Sequence, residues 1–188
     1  MFSDLGSFGP ILCLGLAACG SAIGCGLAGM TSHGIMSKTD EGHGLFVALS
    51  AMPASQTIYG FVLMILMSDK INVLSQAGRP TGPLFAIGVA CGVALMFSAI
   101  YQGKACSSAI LAVAKKPSIA GLAFASPGIV ESFAIFAMVG AQAQYIDRYK
   151  PELGICPNPA GVAYYGDEYH GFKVAELCDR FNAGERWM

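Results

Sequence analysis

Four stretches of this chain, Leu5 to Ser37, Gly42 to Ser68, Pro80 to Gly103 and Pro117 to Ile146, contain no charged residue except Glu131. Each is longer than the roughly 20 residues a helix needs to cross a 30 Å hydrocarbon core. Backbone polar groups facing lipid must be satisfied within the segment, and a helix does this by itself. The pattern therefore predicts an all-α membrane protein of four transmembrane helices, arranged as two hairpins. Composition agrees. Apolar residues make up 54% of the chain and charged residues 12%, whereas about a quarter of the residues of a soluble domain are charged. The expected division is a first hairpin over 1–72, a second over 73–146 that carries the acid, and a C-terminal extension over 147–188.

Charge excludes some functions and leaves orientation open. A net charge of −1 offers no basic face for phosphates, so no nucleic-acid partner is expected. Met1 to Pro10 carries Asp4 and no basic residue, so it lacks the positive region of a cleavable signal, and the first helix is expected to stay. Lys38, Lys104, Lys115 and Lys116 lie on one side, and Lys70, Arg79, Arg148 and Lys150 on the other. The basic-residue bias that usually orients a membrane protein is tied.

The hairpins read as copies of one another at an offset of about 74 to 77 residues. Ser21-Ala22-Ile23 with Gly26 recurs as Ser98-Ala99-Ile100 with Gly103, and Gly15 and Ala17 fall on Gly92 and Ala94. Pro53 precedes Gln56 by three residues and Pro127 precedes Glu131 by four, which makes Gln56 the uncharged counterpart of the acid. Helices one and three are rich in small residues: Gly15, Gly20, Gly24, Gly26 and Gly29, then Gly88, Gly92 and Ser98. Helices two and four carry Phe46, Met52, Tyr59, Phe61, Phe124, Phe133 and Phe136. Because small residues let backbones approach closely, helices one and three are expected against equivalent helices of neighbouring copies, with two and four outside facing lipid. Gly24, Gly26 and Gly29 also spell a dinucleotide-loop pattern, but they lack the preceding strand that such a loop requires, so they read as packing glycines.

A carboxyl at bilayer depth is costly and marks an ion pathway by default. Ser55 and Gln56 on the second helix and Gln102 on the third are expected at the same depth as Glu131. Pro53 loosens the second helix beside Met52 and frees backbone oxygen. Hydroxyl, amide oxygens, carbonyl and carboxylate form a hard, all-oxygen set with one negative charge, which suits a monovalent cation: sodium or a proton. Sodium is preferred, since a proton needs neither a second amide nor an added hydroxyl. The bland alternatives are ordinary interhelical amide bonds, worth about 0.6 kcal/mol each, and a serine bonded to its own helix turn. Lys104 reads as a snorkelling side chain. His33 and His43 flank a solvated loop with no third metal ligand at suitable spacing. Cys13, Cys19, Cys25, Cys91 and Cys106 read as small packing residues.

Four motifs in order resemble the duplicated proteolipid, the K/c component, of V-type and archaeal-type rotary ATPases. They are Met52-Pro53-Ala54-Ser55-Gln56 with Ile58-Tyr59-Gly60-Phe61, then Tyr101-Gln102-Gly103-Lys104, Ala114-Lys115-Lys116-Pro117, and Val130-Glu131-Ser132. The resemblance covers about 9–143. It implies an ion site made of the Met52 carbonyl, Ser55, Gln56, Gln102 and Glu131, with Glu131 carrying the transported Na+ or H+. It further implies a closed ring of identical subunits, a stator membrane subunit with an arginine, central-stalk subunits at loops facing the cytoplasm, and both termini on the opposite side. The membrane would be the plasma (inner) membrane of a prokaryote. No cofactor is implied, and the chain is expected to be no enzyme on its own but the ion-translocating part of a rotary pump. Ser in place of Thr, and Met and Ala around Pro53, depart from the family pattern. The rival readings are a stand-alone cation channel or transporter and a structural membrane protein with an incidental acid.

The segment 147–188 has no counterpart in that resemblance, but the side it implies for the termini makes this extension extracytoplasmic. Its aromatic content predicts an ordered cap, with Phe172 to Asn182 as a short amphipathic helix and Cys156 and Cys178 placed where they could pair.

Overall fold

The computed structural model describes residues 5–76 and 81–142, together with the backbone of 168–169 and 172–173. Four helical segments are long and apolar enough to cross a membrane: Leu5–Met36, His43–Asn72, Gly82–Lys115 and Leu122–Gln142. The first is helix α1 (Phe8–Met36), which follows a single 3-10 turn over Leu5–Ser7. It is linked to the second through Gly42, whose φ of 81° is a left-handed conformation that glycine adopts without penalty.

The second span is not continuous. Helix α2 (His43–Ala51) gives way to a 3-10 turn at Met52–Ala54 before α3 (Ser55–Gln76) begins. Pro53 lies in that turn and has no N–H for the α ladder, so the break falls where the proline dictates. The third span is a single helix, α4 (Gly82–Lys115), which runs well past the charge-free stretch and takes Lys104 into its interior. It stops where Pro117 disfavours helical geometry at Lys116, which has φ −141° and ψ 86°. The fourth span is shorter as an α-helix than its apolar length suggested. Pro117–Ile119 and Leu122–Phe124 are separate 3-10 turns, and only Ala125–Gln142 forms α5.

The small residues of α1 and α4 bring those two helices together within one copy, rather than serving contacts between copies alone. A Cβ on Gly24 would meet the backbone of Ala99, one on Gly103 would meet the backbone of Gly24, and one on Gly88 would meet the backbone of Gly9. Gly15, Gly26 and Gly29 differ, with nothing within 4 Å of the position a Cβ would take. The aromatic residues also divide. Phe61, Phe133 and Phe136 are exposed, as expected of lipid-facing side chains, whereas Phe46 is 2% exposed. Phe46 packs in a cluster with Ala28, Leu49, Cys106 and Ile110, because α2 leans on α1 and α4 next to the loop. Lys104 does not simply reach away: its Nζ lies 4.7 Å from the ring centroid of Tyr101, one turn earlier on α4.

Residues 143–188 form a second unit. Within it Glu168–Tyr169 pairs antiparallel with Phe172–Lys173. The helix expected from Phe172 is therefore corrected at its start, where the backbone is extended and paired with the preceding strand. The rest of that expected helix, with Cys156 and Cys178, lies outside the described residues.

Candidate ion-binding site

Glu131 occupies the middle of the fourth span, one turn after Pro127 on α5, and is half-buried. Two donors reach its carboxylate. The Tyr59 hydroxyl donates to Oε1 at 2.8 Å, and Gln102 Nε2 to Oε2 at 3.4 Å. Hydrogen bonds to a charged acceptor are the stronger kind, and here they join α3 and α4 to the acid on α5.

The amides form a directed chain. Gln56 and Gln102 are both 0% exposed. Gln56 Nε2 donates to Gln102 Oε1 at 2.8 Å, and Gln102 Nε2 donates to the Pro127 carbonyl at 3.1 Å. A backbone carbonyl can only accept, so it requires the NH2 end of Gln102. That leaves the Gln102 oxygen facing Gln56. The single Ser55 hydroxyl proton faces two acceptors, the Met52 carbonyl at 3.1 Å and the Gln56 oxygen at 3.4 Å. The 3-10 turn before Ser55 is what brings that carbonyl within reach.

All five residues named from sequence thus join one hydrogen-bonded network. Its polarity differs from the all-oxygen arrangement expected there: Gln102 turns nitrogen, not oxygen, toward Glu131. A cation held by the Gln102 oxygen requires that amide to turn over.

Three participants escaped the sequence reading. Tyr59, expected to face lipid, instead bonds the acid; its position three residues after Gln56, on the same face of α3, was the available signal. Ser98 donates to the Val130 carbonyl at 3.0 Å and accepts from Gln56 Nε2 at 3.5 Å. It stands four residues before Gln102, again on one face. The Pro127 carbonyl is backbone and leaves no mark in a side-chain pattern.

Fold and site together define a duplicated, four-span membrane protein with a mid-span carboxylate held between its two repeats. Residues 8–67 and 85–141 each match the ATP synthase C-subunit family, two stretches whose starts stand at the offset of the repeat. The chain is 33% identical over 150 residues to the A-type ATP synthase subunit K of Methanocaldococcus jannaschii, an alignment covering 80% of this chain and 66% of that protein. It is 35% identical over 124 residues to the V-type sodium ATPase subunit K of Enterococcus hirae, covering 64% of this chain and 76% of that one. It spans just under two thirds of the archaeal relative's length. The chain belongs to the ATP synthase C-subunit family, as a duplicated proteolipid of the rotary-ATPase kind.

Proposed function

We propose that the chain is a subunit of a membrane rotor ring in a V/A-type rotary ATPase, and that Glu131 carries one monovalent cation per step, sodium or a proton. The observation that carries the reading is the placement of Glu131: a lone carboxylate at mid-span, bonded by Tyr59 and Gln102 drawn from both repeats. An acid so held is pre-shaped to take a cation. Once neutralised it crosses lipid with little penalty, whereas an ionised carboxylate there costs at least about 2.5 kcal/mol. Copies of the chain form the ring, and a stator protein with an arginine discharges the acid. Central-stalk proteins meet the loops at 37–42 and 116–121, and the assembly sits in the plasma membrane of a prokaryote. The chain itself catalyses no bond change; its work is the binding and release of the ion. Sodium is supported by the oxygens of Met52, Ser55 and Gln56 gathered at the break in the second span.

A hydrophobic carbodiimide, which attacks protonated carboxyls in apolar surroundings, tests this. Labelling is expected on Glu131 and is expected to vanish in Glu131→Gln, with ion transport lost and the ring still assembled. Labelling on Asp69 or Asp4 instead would overturn the assignment. Sodium that slows labelling at fixed pH identifies sodium as the cargo, and labelling that follows pH alone identifies the proton.

A further inference from the structure

The repeat supplies an internal control for one residue of the site. Ser21 on α1 and Ser98 on α4 are equivalent by sequence, each opening the Ser-Ala-Ile motif, and both are buried, 5% and 7% exposed. Their hydroxyls differ completely. Ser21 Oγ finds no hydrogen-bond partner among the described residues. Ser98 Oγ has two, and they belong to two other helices.

Both bonds of Ser98 act on the ion site. Its single hydrogen goes to the carbonyl of Val130, the residue peptide-bonded to Glu131, which ties α5 to α4 at the acid's own level. With that hydrogen committed, Ser98 can offer Gln56 only lone pairs. Gln56 therefore meets two acceptors, Ser98 Oγ and Gln102 Oε1, and must turn its NH2 to them. Its oxygen is left facing the Ser55 hydroxyl, which also reaches the Met52 carbonyl. The equivalent serine in the first hairpin, whose partner helix carries Gln56 in place of an acid, makes neither bond. The interactions of Ser98 are thus not a general feature of a serine in this motif. They occur only in the hairpin that holds the carboxylate.

We propose that Ser98 is a positioning residue for ion binding: it fixes the depth of Glu131 through Val130 and the amide polarity of Gln56, and so sets the affinity of the site. The proposal rests on the reading of Glu131 as the ion carrier. Its test is the carbodiimide reaction of the intact ring, followed as a function of sodium and of pH. In Ser98→Ala the concentration of the transported cation at which labelling is half-changed is expected to shift by about three- to tenfold, the effect of one buried hydrogen bond. The extent of labelling at saturating reagent is expected to stay complete. Ser21→Ala is expected to leave the midpoint where it is in the unaltered ring. Ser98→Thr, which keeps the hydroxyl, is expected to hold the midpoint close to that of the unaltered ring. Should Ser98→Ala fail to assemble, Ser98→Cys, nearly the same size with a feeble donor, reports the same midpoint. An unmoved midpoint in assembled Ser98→Ala or Ser98→Cys overturns the proposal, as does an equal shift from Ser21→Ala. Failure of Glu131 to label in the unaltered ring counts against the ion-carrier reading instead, so the two are separable.

Discussion

At the scale of single residues, the acid and both amides were legible because charge and amide groups are rare in apolar helix, and rarity is itself a signal. Tyr59 was not. A tyrosine in the middle of the second span reads equally as a lipid-facing aromatic or as a ligand, and only the packing of α3 beside α5 decides. The packing puts its hydroxyl 2.8 Å from Glu131 Oε1. Tyr59→Phe removes that donor and leaves the ring in place, so assembly should be unaffected. A hydrogen bond to a charged group is worth about 1.5 to 3 kcal/mol, and the carboxylate loses one of its two protein donors. The ionised, cation-free acid is thereby destabilised relative to any neutralised form. Cation release from Glu131 should slow by about tenfold or more, read as the exchange rate of labelled sodium or as carbodiimide labelling persisting to higher pH. Unchanged release in Tyr59→Phe would mean that the phenol does not restrain the acid.

At the scale of elements, the count of four spans was legible from length alone, and the places where the helices break were legible at Pro53 and less so at Pro117. What could not be read was which small residues serve the interior of one copy. Glycines on α1 look alike in sequence, yet Gly24 lies against Ala99 while Gly26, two residues on, faces open space. A turn of about 100° per residue separates a packed face from an open one, but the sequence does not say which face is inward. The consequence is sharpest at Gly103, where an added Cβ would fall on the backbone of Gly24. Backbone cannot move aside as a flexible side chain can, so α1 and α4 must part over the whole contact. Gly103→Ala is expected to destabilise the chain by about 1 to 3 kcal/mol or more, the usual range for overpacking. Thermal unfolding of the detergent-solubilised protein measures it, and an unchanged midpoint would place α1 and α4 farther apart than described.

At the scale of the whole molecule, the two hairpins share one mid-span carboxylate, and the first hairpin has become a partner that lends Tyr59 to that acid and Gln56 to the Gln102 beside it. That division of labour explains why the site was partly readable from either repeat and fully readable from neither. It also leaves α1 with an unused surface. Gly15, Cys19, Ala22 and Gly26 recur at helical spacing on a single exposed face, and neither glycine has anything within 4 Å of where a Cβ would be. Among apolar helices, such a stripe is where another backbone can approach closely. In the proposed ring each copy would meet a neighbour on two sides, and this face of α1 is expected to receive an adjoining copy. Gly26→Leu adds a branched side chain to that face without touching the contact between α1 and α4. The variant should therefore insert and fold as four helices, retaining helical content by circular dichroism, while the detergent-solution mass falls from that of a ring to that of one or a few copies. Gly24→Leu is the contrast, because it should disrupt the single copy itself. A Gly26→Leu protein that still runs as a full ring would move the interface between copies to another face.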